Sequence, residues 1–180
     1  MRSDCPLNIV LIGMPGAGKS SVGVLLAKRL GYHFVDTDLL LQVAAQRRLQ
    51  EIITSQGLAA FMALEEQAVC RLTPQHTVVA TGGSVVYSSA AMTHLQQIGR
   101  LVYLDLPLAT LQQRVWNMDS RGLVIDPGES FADLYARRTP LYRHYAELTI
   151  PCGGLAPETI AAAIEQALCG PPPCMNKAMV

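Results

Sequence analysis

The chain has 180 residues, enough for one α/β domain with a proper core and too few for two comfortable ones. Its 14 basic and 14 acidic side chains cancel to a formal net charge of zero, so neither nucleic acid nor an anionic membrane is indicated as a partner. No apolar run reaches ~18 residues and the N-terminus lacks the layout of a signal peptide, which points to a soluble, cytoplasmic protein.

The first element is a short apolar strand at residues 9–12. A glycine-rich turn follows, and then Val22, Leu25, Leu26 and Leu30 recur at the spacing of one helix face. The turn spells G-x-x-x-x-G-K-S at Gly13, Gly18, Lys19 and Ser20, the Walker A pattern. Gly13, Gly16 and Gly18 let backbone N–H groups close around a phosphate, and the following helix aims its positive end at the same place. Lys19 is placed to reach the β- and γ-phosphates and Ser20 to sit on Mg²⁺. Ala17 and Ser21 belong to the same nucleotide-binding stretch. This is a nucleotide-phosphate site.

Gly31 ends that helix, and residues 32–35 read as a second strand terminating in Asp36-Thr37-Asp38. The carboxyl ends of parallel strands face the ligand crevice, so both aspartates are expected near the phosphates, one capping the next helix while the other does chemistry. If the segment stays extended, alternation aims Asp36 and Asp38 the same way. Residues 39–72 are helical with a break near Gly57, and Phe61, Leu64, Ala68 and Leu72 form an apolar face. A β-branched strand at 77–81 ends in Gly82-Gly83-Ser84, where the paired glycines permit close approach of backbone amides to a ligand. Residues 101–106 form a fourth strand, and Pro107 opens a helix ending near Arg114 and Trp116.

Residues 118–130 lack a clean period and carry Arg121, as expected of a mobile lid. Helix period returns at 131–145, where Pro140 is expected to kink or divide the run. Residues 147–150 make a fifth strand, Pro157 starts a closing helix, and residues 169–180 are read as a disordered tail. The five cysteines (Cys5, Cys70, Cys152, Cys169 and Cys174) are scattered without metal-ligand or C-x-x-C spacing and are expected to be reduced thiols. Strands alternating with helices give a three-layer α/β fold, a five-stranded parallel sheet flanked by helices. Residues 1–168 constitute one domain, with helical insertions at 39–72 and 118–130 flanking the mouth of the site.

Over residues 8–168 the sequence resembles the shikimate kinases, of the nucleoside-monophosphate-kinase-like P-loop group. The matching pieces are GMPGAGKS at 13–20, DTD at 36–38, F-x-x-x-E from Phe61 to Glu65, TGG at 81–83, Arg114, Arg121 and RRTPLY at 137–142. The resemblance implies Mg²⁺ and ATP, with Asp36 joining Ser20 at the metal and Arg114 stacking on adenine. It implies that Asp38 orients and deprotonates the acceptor hydroxyl, that Gly82 and Gly83 offer backbone donors to the acceptor, and that Arg138 pairs with the acceptor carboxylate. Arg121 corresponds to the lid arginine that closes over the transferring phosphoryl group.

Three positions depart from the family pattern. Met62 replaces a second carboxylate-clamping arginine, Ser84 replaces a third glycine, and Gly122 replaces a proline after the lid arginine. Loss of one charge-assisted pair costs ~1.5–3 kcal/mol of acceptor binding. The expected partner is a small hydroxylated metabolite, shikimate first, bound by a monomer. A kinase of this kind with a different acceptor is the alternative, and a nucleotide-binding module without transfer activity comes after it.

Overall fold

The computed structural model describes residues 5–116 and 128–170. Arg121, Gly122, most of the expected lid and residues 171–180 lie outside the described residues. Five parallel strands form the sheet: β1 (Asn8–Ile12), β2 (His33–Asp36), β3 (Thr77–Ala80), β4 (Arg100–Asp105) and β5 (Leu148–Pro151). Their spatial order is β2-β3-β1-β4-β5. The chain therefore winds to one side of β1 and then to the other, which leaves β1 central. Leu11 lies opposite Ala80 on one side and Val102 on the other. Every residue of β1 is buried, the mark of a strand covered on both faces and the reason its sequence runs apolar without alternation.

The described helices are α1 (Lys19–Leu30), α2 (Thr37–Ala45), α3 (Leu49–Cys70), α4 (Ser89–Ile98), α5 (Leu108–Trp116), α6 (Phe131–Tyr145) and α7 (Pro157–Cys169). Val22, Leu26 and Ala27 of α1 join the β1 and β4 side chains and Ile160, Ala161 and Ile164 of α7 in one aliphatic core. Helices α1 and α7 pack together, and Arg29 and Glu165 pair across them at 2.7 Å. A second, smaller cluster of Leu41, Ile52 and Phe61 joins α2 to α3. Gly57 interrupts α3 with φ 82 and ψ 166, a conformation essentially confined to glycine, so the break falls where the sequence indicates.

Three expectations need correction. Helix α6 continues through Pro140 and is not divided there, and the residue is exposed. Helix α2 begins at Thr37, so Asp38 is helical and not part of an extended segment. Cys5 and Cys169 form a disulfide, their Cα atoms 4.6 Å apart across 164 positions of sequence. Their proximity follows from α7 docking beside α1 and the start of β1, which no local spacing reveals. Cys70 and Cys152 are free thiols, the first exposed and the second buried. No helix among the described residues is long and apolar enough to cross a membrane.

Candidate active site

The site lies along the carboxyl edge of the sheet, where β1, β2 and β3 hand over to loops. From β1 the chain enters the phosphate-loop turn. Gly18 takes a left-handed conformation (φ 89) as the first cap of α1, no side chain among the described residues caps that helix end, and no acidic residue occupies its first turn. The positive end of α1 is thereby left for an external anion. Lys19 folds across the loop, its Nζ donating to the carbonyl oxygens of Gly13 at 2.7 Å and Met14 at 3.0 Å. Burial lowers its pKa to about 8, against the opposing charge of Asp38 and, more weakly, of Asp36 and Glu65; Arg138 adds to the lowering. Ala17 is buried and its N–H bonds to the Met14 carbonyl. Gly16 offers its carbonyl to Arg114 Nη1 at 3.3 Å, so α5 leans over the loop. Ser21 is exposed in the first turn of α1.

Asp36 closes β2 and serves two partners. Its Oδ1 accepts the N–H groups of Asp38 (3.0 Å) and Leu39 (3.4 Å), capping α2. Its Oδ2 accepts the Ser20 hydroxyl at 2.6 Å. Among the described residues no cluster of three or more His, Cys, Asp or Glu could cage a metal. One hydroxyl and one carboxylate suit an ion that keeps most of its waters and takes its other ligands from a phosphate chain, as Mg²⁺ does.

The acceptor side is built around the turn after β3. A Cβ placed on Gly82 would stand 2.0 Å from Glu65 Oε1 and 2.8 Å from Asp38 Oδ1, so the missing side chain is what lets two carboxyl groups from α2 and α3 close on the turn. A Cβ on Gly83 would meet Arg138 Nη1 at 3.1 Å. Arg138 is 1% exposed; its Nε donates to the Tyr87 hydroxyl at 3.1 Å and its guanidinium lies over the Tyr87 ring. Tyr142 donates to the Gly83 carbonyl at 2.6 Å. Glu65 is buried and accepts the Ser84 hydroxyl at 2.5 Å. Burial raises its pKa to about 7, with the Ser84 hydrogen bond opposing that rise and the Asp38 charge adding to it.

The structure thus brings Lys19, Ser20, Asp36, Asp38, Gly82, Gly83, Arg114 and Arg138 to one crevice. Two expectations change. The Gly82 N–H is taken by Thr37 Oγ1 at 3.0 Å, so Gly82 serves by close packing and not as a donor to the acceptor. Asp36 and Asp38 diverge, one toward Ser20 and the other toward Gly82, because the start of α2 between them turns the chain. Met62 is half-buried in the small α2–α3 cluster. Arg47 and Arg48 are exposed at the groove between α2 and α3. Thr37, Tyr87 and Tyr142 have positioning contacts that the sequence reading did not single out; Thr37, inside DTD, and Tyr142, the last residue of RRTPLY, lay in recognised motifs, and Tyr87 did not.

The family model for shikimate kinase matches residues 15–169. The shikimate kinase of Thermosynechococcus vestitus is 39% identical over 176 residues, covering 96% of this chain and 93% of that protein. That of Thermodesulfovibrio yellowstonii is 38% identical, covering 87% and 92% respectively. Among solved structures, shikimate kinase from Acinetobacter baumannii in complex with shikimate superposes with a TM-score of 0.84 at 33% identity, covering 89% of this chain and 92% of that one.

Proposed function

The chain belongs to the shikimate kinase family, and from that premise we propose the residue roles by which it transfers a phosphoryl group from ATP to a hydroxyl of shikimate. One observation carries the assignment. Asp38 acts on the Lys19 ammonium and its Oδ1 reaches the turn at Gly82, next to the Gly83 against which Arg138 packs, so the phosphate-side ammonium and the acceptor-side carboxylate share one pocket. Phosphoryl transfer asks little covalent chemistry of the protein and much positioning, with cations on the oxygens of the moving group. Lys19 serves the β- and γ-phosphates, with the uncapped end of α1 and the loop of Gly13, Gly16, Ala17 and Gly18 around them; Ser21 follows in the same turn. Arg114, held against Gly16, lies beside adenine.

Asp38 orients the acceptor hydroxyl and takes its proton. Arg138, held by Tyr87 and packed on Gly83, receives the acceptor carboxylate, and Met62 shapes the apolar wall behind. Arg121 is assigned to the lid and the transferring phosphoryl group. Ser20 and Asp36 would hold Mg²⁺, which supplies charge neutralisation along the phosphates. The protein is assigned to the cytoplasm and to a monomeric state. Residues 1–169 are taken as the kinase domain, one residue beyond the expected boundary because α7 ends at Cys169, with 39–72 as its acceptor-binding insertion and 118–130 as its lid.

The test is a coupled ADP-release assay with shikimate on the wild type, Lys19→Ala and Asp38→Asn. Wild-type turnover at millimolar or lower KM is expected. Both substitutions should abolish transfer, with ATP affinity near normal in Asp38→Asn. Retention of more than about a tenth of kcat by Asp38→Asn removes the assigned proton-accepting role.

A further inference from the structure

Segment 82–87 places both buried ionic groups of the acceptor side. It offers one hydroxyl to each: Ser84 bonds Glu65 Oε2 at 2.5 Å, and Tyr87 receives Arg138 Nε at 3.1 Å. The acid and the guanidinium come from different helices, α3 and α6, and are both 1% exposed. They flank adjacent glycines, Glu65 against Gly82 and Arg138 against Gly83. Ser84 is itself 4% exposed, so its hydroxyl is not a surface feature that happens to meet a carboxylate. Glu65 Oε1 has no hydrogen-bond partner among the described residues. The single bond from Ser84 is therefore what fixes the plane of this carboxyl group beside Asp38.

From this geometry we propose that Ser84 is a positioning residue for acceptor binding, acting through Glu65. The hydroxyl holds the Glu65 carboxylate in the narrow space over Gly82, where a Cβ would fall 2.0 Å away. A carboxylate fixed there keeps a negative charge facing Arg138 and Lys19, and limits where the Asp38 carboxylate can stand. Without the hydroxyl, both Glu65 oxygens are buried and unpaired, a state that favours the protonated acid. The neutral, unanchored group no longer sets the position of its neighbours, and the acceptor is the ligand that feels this. The groups facing Glu65 are Lys19 from α1, Asp38 from α2, and Arg138 and Tyr142 from α6. Of these, Asp38 favours its neutral form, whereas Arg138 and Lys19 favour its charged form.

This inference rests on the assignment of shikimate as acceptor, and the experiment separates the two. Steady-state kinetics with shikimate and ATP are measured from pH 6 to 9 for the wild type, Ser84→Ala, Ser84→Gly, Glu65→Gln and Ser84→Ala/Glu65→Gln. Loss of one hydrogen bond to a charged group predicts a rise in shikimate KM of roughly ten- to a hundredfold in both Ser84 variants, with ATP KM within about twofold. The acidic limb of kcat/KM for shikimate should move to higher pH in the Ser84 variants, because the bond that favours the charged acid is gone. In the Glu65→Gln background the Ser84 substitution should have no further effect on shikimate KM. Unchanged shikimate KM and an unmoved limb, even alongside a lower Tm, overturn the proposal and leave Ser84 a purely structural residue. A wild type inactive on shikimate overturns both this inference and the assignment it rests on. Ser84→Gly removes the hydroxyl without adding volume, so the test stands even if Ser84→Ala folds poorly.

Discussion

Burial of a carboxyl group favours its neutral form, and Glu65 illustrates the consequence for stability. Its pKa rises from 4.5 to about 7 in the fold, first because of burial and against the Ser84 hydrogen bond. Between those values the folded chain holds a proton that the unfolded chain has released. Stability therefore falls as pH rises through this window and levels off above it. The full effect at one such group is ~3 kcal/mol. Glu65→Gln removes the titration, so its stability relative to wild type should climb between pH 5 and pH 8. Denaturant midpoints at the two pH values measure this; a difference that stays constant with pH would show that Glu65 is ionised throughout. At Lys19 burial also prevails and lowers the pKa to about 8, while Asp38, Asp36 and Glu65 oppose it and limit the fall. The ammonium is kept for phosphate by the same carboxylates that serve the metal and the acceptor.

At the scale of single elements, α3 shows how one residue divides a helix. Gly57 sits at φ 82 and ψ 166 with open space where a Cβ would go. The cost of a side chain here is backbone strain alone. Gly57→Ala should destabilise the protein by ~1–3 kcal/mol, read as a lower Tm. Straightening of α3 would also displace Glu65 from Ser84, so shikimate KM should rise more than ATP KM. Equal effects on the two KM values would mean that the two halves of α3 move as one. Helix α2 is organised from its other end: Asp36 caps it and simultaneously holds Ser20. That double duty was half visible in the sequence, where one aspartate could be read as a cap and one as a functional group. The structure gives both jobs to Asp36.

For the whole molecule, the strands, their parallel order and the phosphate loop were legible because each rests on local pattern: apolar runs, glycine turns and helix-period repeats. Long-range facts were not. Nothing in the spacing of Cys5 and Cys169 indicates that they meet, since they are joined only by the packing of α7 on α1. The capture of the Gly82 N–H by Thr37 was hidden for the same reason, and so was the bond between Ser84 and Glu65, 19 positions apart. A crosslink spanning 164 positions restricts the unfolded chain by ~5 kcal/mol in the chain-entropy account. Reduction, or Cys5→Ser, should then lower Tm by about 10–20 °C. ATP and shikimate KM should not change, because the crosslink joins the segment before β1 to the end of α7, at the amino edge of the sheet. A KM shift on reduction would connect the two edges.

The separation of the apolar interior into a large cluster and a small one has a consequence for how the protein opens. Only Leu41, Ile52 and Phe61 are buried in the α2–α3 cluster, whereas the sheet and its helices share a far larger one. Segments with few buried apolar contacts unfold locally at lower free energy than the rest. Amide protons of α2 and of α3 up to Gly57 should accordingly exchange with solvent well before those of β1 or β4, in a sub-global event that leaves the phosphate loop intact. Shikimate should slow that exchange more than ATP does, since Asp38 is anchored in α2. The acceptor half of the crevice is then the part of the fold that ligand makes rigid, and the nucleotide half is rigid beforehand.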